Sequence, residues 1–404
     1  MPSKAVTFVL ITVMLDAMGI GLILPVMPDL IQEVRGAGIG SAALWGGTLS
    51  AVFAAMQFLF APTLGNLSDR FGRRPVLLIS LAVMAFDYVL MAVAGTMTLL
   101  IIGRILGGIT AATHSTAAAF MADISPREKK AQNFGLISAA FGAGFVLGPV
   151  IGGLLAELGP RAPFWAAAVL TAANFLFGYF VLPETVTDET RRPFDWERAN
   201  PVGAFDYISR LPGLTALMGV YFFYQISNMV YPAVWAYYTA ANFDWSPGMI
   251  GASLAVYGIS TALVQAVLIR RIINRFGERK TVYFGLLYNA FTLTLIGLVT
   301  NGWLLLALTP LAAVGGVVAP ALQAVMSGKA EDNQQGELQG VLASINSIGM
   351  IVAPLVMTQI FWFFTGKSAW LYLPGAPFLL AMLLMVVSWM IYSSSLRNPT
   401  GAAT

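Results

Sequence analysis

The sequence predicts an all-α membrane protein of twelve transmembrane helices, arranged as two pseudo-symmetric six-helix bundles. Of its 404 residues, 58% are hydrophobic and only 10% are charged, whereas soluble domains carry about 25% charged residues. The chain contains about twelve apolar runs of roughly 20 residues, the length that crosses about 30 Å of hydrocarbon. A single shift of 205 residues relates the two halves of the chain.

Short polar connections separate the apolar runs, with one exception. Residues 183–212 are polar and rich in proline and charge, and they divide six runs from six. We therefore predict an N-terminal bundle over 1–182, a cytoplasmic linker over 183–212 and a C-terminal bundle over 213–404. The first run has no small-residue cleavage site behind it, so we interpret it as a retained span. The predicted spans lie near 5–27, 42–64, 75–95, 98–121, 133–156, 162–182, 213–238, 247–269, 281–299, 302–326, 337–364 and 370–394.

The distribution of positive charge predicts the orientation, because cytoplasmic loops retain Lys and Arg. Placing both termini and every even-to-odd connection inside accounts for 18 of the 22 Lys and Arg residues. Only Arg35, Arg161 and Lys367 then lie outside, and Arg104 lies within a span. We predict a multi-pass inner-membrane protein with both termini in the cytoplasm. The net charge of +3 resides in these flanking residues and does not indicate nucleic-acid binding.

A charged motif between the second and third runs has an echo in the second half of the chain. Residues 65–75 read GNLSDRFGRRP and residues 274–280 read NRFGERK, so Gly72 matches Gly277 after the 205-residue shift. One offset over about eighty residues predicts duplicated halves, which in transporters are related by an axis along the membrane normal. The same shift aligns Met121 with Met326, Gly135 with Gly340, Ser138 with Ala343, Gly144 with Gly349 and Pro149 with Pro354.

Strong intramembrane charges lie in the first half only. A charge at the bilayer centre costs at least about 2.5–3.5 kcal/mol, so its default interpretation is functional. We infer that the N-terminal half handles protons and that the C-terminal half offers a more neutral, aromatic wall to the substrate. The shift matches Asp16 to Tyr221, Asp87 to Thr292, Arg104 to Thr309 and Asp123 to Gly328.

Asp16, Asp87 and Arg104 are the candidate proton-coupling residues. A carboxyl such as Asp16, midway along a span, binds a proton when desolvated and releases it when water or a cation reaches it. The alternative for Asp16 is a structural pair with Arg104. Arg104 keeps its charge, so it tunes a carboxylate without carrying the proton, or its side chain simply reaches the interface. Asp87 is either a second proton group or a hydrogen-bonding partner of neighbouring helices.

Asp69, Arg73 and Asp123 are expected to cluster at the cytoplasmic face. We predict that these three residues form a latch that favours one access state and weakens when the halves separate. The alternative is that the positive charge of this region alone anchors the topology.

A stripe of small residues marks the fifth span. Gly144, Gly148 and Gly152 recur four apart and allow close approach of another helix, and Pro149 adds a bend. In a two-half transporter this stripe is a hinge or seam between the halves, and in any other membrane bundle it is ordinary packing.

Aromatic and amide residues recur at helical steps in the seventh span. We predict that four of them, Tyr221, Tyr224, Gln225 and Asn228, line a cavity for a flat, partly aromatic ligand. Farther along, Tyr231 has the same spacing, and Trp235, Tyr237 and Tyr238 are interpreted as an aromatic belt at the outer interface. His114 is the single histidine. We interpret it as a packing or hydrogen-bonding residue, and the alternative is a proton relay.

Motifs for enzymatic chemistry are missing from the sequence. There is no Walker loop to couple the chain to ATP. One histidine and no cysteine leave neither a metal cluster nor a nucleophilic triad. We expect neither an enzyme nor a cofactor.

These motifs resemble those of the major facilitator superfamily. Gly65–Pro75, Arg104–Gly108 and Gly142–Gly153 resemble its signature motifs, and the last marks the drug/proton antiporter branch. Within that branch the chain is similar to Tet-type tetracycline/proton antiporters along nearly its whole length. The closest matches are Asp16–Gly21, Gly159–Phe164, Pro320–Ala324 and Gly336–Gly340.

The resemblance implies proton-driven export of an amphipathic drug. It implies coupling roles for Asp16, Asp87 and Arg104, gating roles for Asp69, Arg73 and Asp123, and substrate-binding positions at Gln265, Asn289 and Gln323. Two positions differ: the chain has Thr261 where tetracycline exporters carry a histidine, and Asn289 where they carry an acid. In that family both positions are associated with coupling or with the metal–tetracycline substrate.

We therefore predict a proton-coupled antiporter that exports a drug-like molecule, with tetracycline-type compounds first. Its expected partners are protons, a small-molecule substrate and the lipid bilayer, and we expect a monomer. Coupling requires only that proton and substrate prefer different access states. The alternatives are an exporter of another amphipathic drug or metabolite, a proton-coupled symporter of a small organic solute, and a membrane receptor or assembly subunit without transport.

Overall fold

Every regular element in the described part of the chain is a helix, and no β-strand occurs there. The structure, a computed structural model, describes residues 4–111, 113–189, 191–195, 200, 203, 211, 213–331, 334–366 and 369–397, without the side chains of 113, 114 and 397. The helices are α1 (Lys4–Ile23), α2 (Met27–Arg35), α3 (Ile39–Phe71), α4 (Arg73–Val93), α5 (Met97–Thr110), α6 (Thr113–Ile124), α7 (Lys130–Ala156), α8 (Ala162–Val181), α9 (Thr215–Asn228), α10 (Val230–Phe243), α11 (Pro247–Leu263), α12 (Ile269–Leu298), α13 (Gly302–Val314), α14 (Val318–Ser327), α15 (Gln335–Thr365) and α16 (Ala376–Arg397).

Each predicted span overlaps a helix or a pair of helices. Ten helical stretches within the described ranges are long and apolar enough to cross a membrane. One of them, Pro247–Leu298, holds two predicted spans and is interrupted by the non-helical Gly277. The predicted span at 213–238 is divided between α9 and α10, which separate at Met229. The predicted fold class, an all-α membrane protein with two six-helix halves, is confirmed.

The charged motif at residues 65–75, which joins the second and third predicted spans, is mostly helical. α3 continues to Phe71, and Gly72 alone separates it from α4. The helix extends beyond the apolar run because its polar groups have partners there: Ser68 donates to the Gly65 carbonyl at 2.7 Å.

The internal repeat is visible in the helix boundaries. α5 and α13 begin 205 residues apart, and so do α6 and α14, and α7 and α15. Gly72 and Gly277 both have a positive φ, 109° and 74° respectively, which L side chains rarely adopt. One duplicated backbone plan therefore underlies both halves.

The described chain separates into two compact units. Unit 1 comprises 1–37, 52–201 and 246–255, and unit 2 comprises 38–51, 202–245 and 256–404. The domain boundaries predicted from the sequence, at 182 and 213, remain a prediction.

Unit 1 is built on the close approach of α1 and α7. The Gly144, Gly148 and Gly152 stripe faces successive turns of α1, where added Cβ atoms would meet the carbonyl oxygens of Met14, Met18 and Leu22 respectively. On its other side, α7 contacts the start of α11, with the Pro149 carbonyl against Gly251 and Gly153 against Pro247. The stripe therefore packs helices together, as small residues do in membrane bundles. Its hinge role remains a prediction.

We expect Gly148→Ala to destabilise the protein by about 1–3 kcal/mol, the usual cost of overpacking. An alanine Cβ at this position would lie 2.5 Å from the Met18 carbonyl oxygen, and a backbone atom cannot move aside without separating α1 from α7. Thermal unfolding in detergent measures the effect. Gly142→Ala on the same helix is the matched control, because no atom lies within 4 Å of its added Cβ and alanine is the better helix former. Equal melting temperatures for the two variants would contradict the packing argument.

In unit 2, α16 packs against α9 and α12. Buried hydroxyl groups join helices of this unit: Ser227 on α9 donates to the Ala381 carbonyl on α16 at 2.8 Å, and Tyr238 on α10 donates to the Ile296 carbonyl on α12 at 2.6 Å. Such interhelical hydrogen bonds satisfy groups that hydrocarbon cannot.

Candidate functional site

Asp87 and Arg104 form a buried ion pair in unit 1. The guanidinium Nη2 lies 3.6 Å from Asp87 Oδ2, and the side chains are only 8% and 2% exposed. α5 makes room for the carboxylate with two glycines, since a Cβ at Gly103 or Gly107 would lie 2.8 or 2.6 Å from its oxygens. Arg104 also stands over the Phe53 ring, 5.4 Å from its centroid. The pair therefore sits in a site shaped for it.

The alternative prediction that Arg104 pairs with Asp16 was wrong. The structure pairs Arg104 with Asp87 because Asp87 on α4 faces the glycine notch of α5. Asp87 therefore takes the role of a helix-linking partner in this structure, and its proton-binding role remains a prediction.

Asp16 is a buried carboxyl of unit 1 without an ion-pair partner among the described residues. Both of its oxygens are buried, and neither has a hydrogen-bond partner among the described residues. A buried polar group without a partner is costly and rare. Asp16 can therefore take up a proton without first breaking an ion pair, unlike Asp87.

Tyr88 lies between these groups and was not identified from the sequence. Its hydroxyl fills the space left by the absent side chain of Gly19, one turn after Asp16 on α1. Tyr88 interacts electrostatically with Asp16, Asp87 and Arg104. The available signal was its position directly after Asp87, but only the packing of α4 on α1 reveals which face it occupies.

Asp69, Arg73 and Asp123 cluster as the sequence predicts. Arg73 Nη1 lies 2.5 Å from Asp69 Oδ1, and Arg73 Nε lies 3.3 Å from Asp123 Oδ2. Arg73 also donates to the Ser68 hydroxyl at 2.6 Å. One guanidinium thus joins the end of α3 to the end of α6. The gating role of this latch remains a prediction.

The predicted ligand wall lies in unit 2, where its polar groups are joined in pairs. Gln323 donates to the Tyr221 hydroxyl at 3.3 Å, and Gln225 donates to Asn346 Oδ1 at 2.6 Å. Asn346 on α15 was not identified from the sequence, because its span carries no other mark of a site. These side chains offer exchangeable hydrogen bonds to a polar ligand.

Aromatic rings continue this surface. Tyr231 stacks on Tyr257 with their centroids 5.1 Å apart. Tyr224 is buried, and Asn228 donates back to its carbonyl at 3.3 Å. A flat apolar ligand can stack on such rings.

The interpretation of Trp235, Tyr237 and Tyr238 as an aromatic belt at the interface was wrong. All three are buried in unit 2. Trp235 packs edge-on against Phe378, and the Tyr238 hydroxyl donates to the Ile296 carbonyl. Most of α10 is buried, which the hydropathy of its sequence does not reveal.

The remaining predicted substrate positions differ in their surroundings. Asn289 donates to the carbonyls of Gly285 and Gly315, both at 3.0 Å, so its amide nitrogen links α12 to the short turn between α13 and α14. Gln265 is exposed in a π-helical turn, Val264–Leu268, just after Thr261. Such π turns are frequent at functional sites.

The His114 side chain lies outside the described part of the chain. No group of three or more potential metal-ligating residues occurs among the described residues.

Comparison with known proteins places this arrangement in context. A family model described as Major Facilitator Superfamily matches residues 9–233 and 217–403. The chain is 44% identical over 359 residues to the Escherichia coli tetracycline resistance protein, class C, covering 89% of this chain and 90% of that protein. It is 40% identical to the class G protein of Vibrio anguillarum, covering 93% and 95%. Among solved structures, the human organic anion transporter MFSD10 (TETRAN) has a TM-score of 0.65 at 25% identity, covering 97% of this chain and all of that one.

Proposed function

The chain belongs to the major facilitator superfamily, and we propose on that basis that it is a proton-coupled efflux antiporter whose first substrate class is the tetracyclines. Its similarity to tetracycline resistance proteins over about nine-tenths of its length supports the substrate class. The unpaired carboxyl of Asp16 within a membrane-spanning helix carries the proton-coupling part of the proposal.

In this mechanism, proton and substrate occupy different units. Asp16 takes up a proton from outside and releases it inside. Its electrostatic environment is set by Asp87, Arg104 and Tyr88. The drug binds from the cytoplasm among the rings and amides of unit 2. The two ligands drive exchange because each favours a different access state. Both termini lie in the cytoplasm, so the charged latch faces the side from which the drug enters.

A second candidate is an exporter of another amphipathic drug. The observation that favours it is the state of Asn289, whose amide nitrogen is engaged with backbone carbonyls at the position where tetracycline exporters carry an acid. A neutral, hydrogen-bonded amide is a poor partner for a metal–drug chelate, because hard cations prefer carboxylate oxygens.

The test is a drug-susceptibility panel in a bacterial host that lacks its own efflux pumps. We expect expression of the chain to raise the inhibitory concentration of tetracycline at least several-fold, and inside-out vesicles to accumulate tetracycline only while a proton gradient is present. Resistance to another drug class without tetracycline would support the second candidate. Proton-driven uptake of a solute into cells would support a symporter, and no substrate-dependent proton movement across the whole panel would overturn transport.

A further inference from the structure

The segment that follows α8 is anchored to the start of α4 by Glu184, which the sequence did not single out. Its Oε1 accepts the backbone N–H of Arg73 at 2.9 Å, and its Oε2 accepts that of Arg74 at 3.2 Å. Oε1 also accepts from the N–H groups of Thr185 and Val186, at 2.9 and 3.0 Å. The first N–H groups of a helix have no partner within it, so this carboxylate caps α4 from another part of the chain.

The absence of a side chain at Gly72 leaves room for the Glu184 carboxylate. Gly72 precedes α4 with φ 109° and ψ 153°, and a Cβ on it would lie 2.7 Å from Glu184 Cδ. Its repeat counterpart, Gly277, also has a positive φ, yet no described atom lies within 4 Å of its added Cβ. Among the described residues, the contact therefore occurs in the first half of the repeat only.

The same segment continues onto the latch. Thr185 Oγ1 donates to Asp123 Oδ2 at 3.0 Å, the oxygen that also accepts from Arg73 Nε. The backbone N–H of Arg192 donates to the Asp69 carbonyl at 3.3 Å. Each of the three latch residues is thus bonded to this segment.

A pair of hydrogen bonds fastens the far end of the segment. The buried amide of Asn66 donates to the Asp195 carbonyl, and Asp195 N–H donates to Asn66 Oδ1 at 3.4 Å. Asn66 lies one turn before Asp69 on α3. A side-chain amide that pairs with both backbone groups of one residue holds that residue in register, as a neighbouring strand would.

We propose that residues 184–189 and 191–195 form a strap that is a working part of the cytoplasmic latch, with Glu184 as its positioning residue. The latch ion pairs cannot separate without moving the strap, because the strap is bonded to Asp69, Arg73 and Asp123. The first stretch of the central connection therefore helps to set how readily the transporter changes its access state. The role in the transport cycle rests on the proposed function, whereas the docking of the strap does not.

The natural absence of cysteine permits a clean accessibility test. Val186 is 8% exposed in the strap, so Val186→Cys introduces one buried thiol. We expect slow labelling of this thiol by a membrane-impermeant maleimide in inside-out vesicles. Glu184→Gln replaces one acceptor oxygen with an NH₂ group, so labelling should accelerate about tenfold, in line with the loss of charge-assisted hydrogen bonds. Glu189→Gln, an exposed residue of the same connection, is the matched control and should leave the rate unchanged.

The response of thiol labelling to the transport cycle distinguishes a strap that moves during transport from one that only supports the fold. In the Val186→Cys protein, labelling should rise when substrate and a proton gradient are both supplied. Glu184→Gln should lower the maximal transport rate several-fold and leave KM unchanged, because the drug contacts lie in unit 2. Labelling that is insensitive to cycling, or a change in KM with the rate unaltered, would overturn the proposal.

Two further variants cover a failure of Glu184→Gln to fold. Thr185→Val removes only the hydrogen bond to Asp123 and should also accelerate labelling. Gly72→Ala should impair transport more than Gly277→Ala, since only the former Cβ meets Glu184; equal effects would contradict the strap. If no drug is exported at all, the comparison of labelling rates in the resting protein still decides whether the strap is docked.

Discussion

Asp16→Asn should reduce proton-driven drug export to the level of empty vesicles and leave membrane insertion intact. An asparagine cannot bind and release a proton, yet it has nearly the same shape as aspartate. Both Asp16 oxygens are buried without a described hydrogen-bond partner, so the substitution breaks no ion pair and removes no packing. The measurement is drug uptake into inside-out vesicles under an imposed proton gradient, alongside the amount of protein inserted.

Two controls sharpen this expectation. Asp188→Asn makes the same chemical change at an exposed residue that only pairs with Arg191, and it should export normally. Drug exchange without a proton gradient should survive in Asp16→Asn, because that assay requires substrate movement alone. Full proton-driven export by Asp16→Asn would remove the coupling assignment.

Arg104→Gln should be the most destabilising of the proposed substitutions. It leaves Asp87, which is 2% exposed, without its cationic partner, and breaking a buried pair from one side costs about 3–5 kcal/mol. The glutamine also loses the contact over the Phe53 ring. Unfolding in detergent should report the loss, together with a smaller yield of inserted protein.

The double variant Asp87→Asn with Arg104→Gln distinguishes stability from coupling. It removes both charges, so most of the lost stability should return, while proton-driven export should stay low if the pair tunes Asp16. Arg191→Gln is the matched control, since its exposed partnership with Asp188 at 3.7 Å is worth at most about 1 kcal/mol. A double variant as unstable as Arg104→Gln would show that the ion pair is not the source of the loss.

The sequence predicts the contacts among the latch residues well and the surroundings of Asp16 and Asp87 only in part. Asp69 and Arg73 are four residues apart on one helix, and the end of α6 brings Asp123 to them, so helical spacing and chain topology suffice. Asp16 and Asp87 were found because charge in an apolar run is conspicuous. Tyr88 and Asn346 were missed because tyrosine and asparagine are ordinary in such runs, and Glu184 because acids are ordinary in connections.

By itself, the sequence determined the fold class, the spans and the duplication, because bilayer thickness fixes the length and polarity of every span and a common offset needs no coordinates. Only the tertiary structure decided which charges meet: Arg104 with Asp87, Asp16 with neither, and Glu184 with the start of α4. Those partners depend on how far each helix is rotated and shifted against its neighbours. Contacts between distant small residues, such as Gly148 against α1 and Gly103 against Asp87, set that rotation, and no local periodicity encodes it.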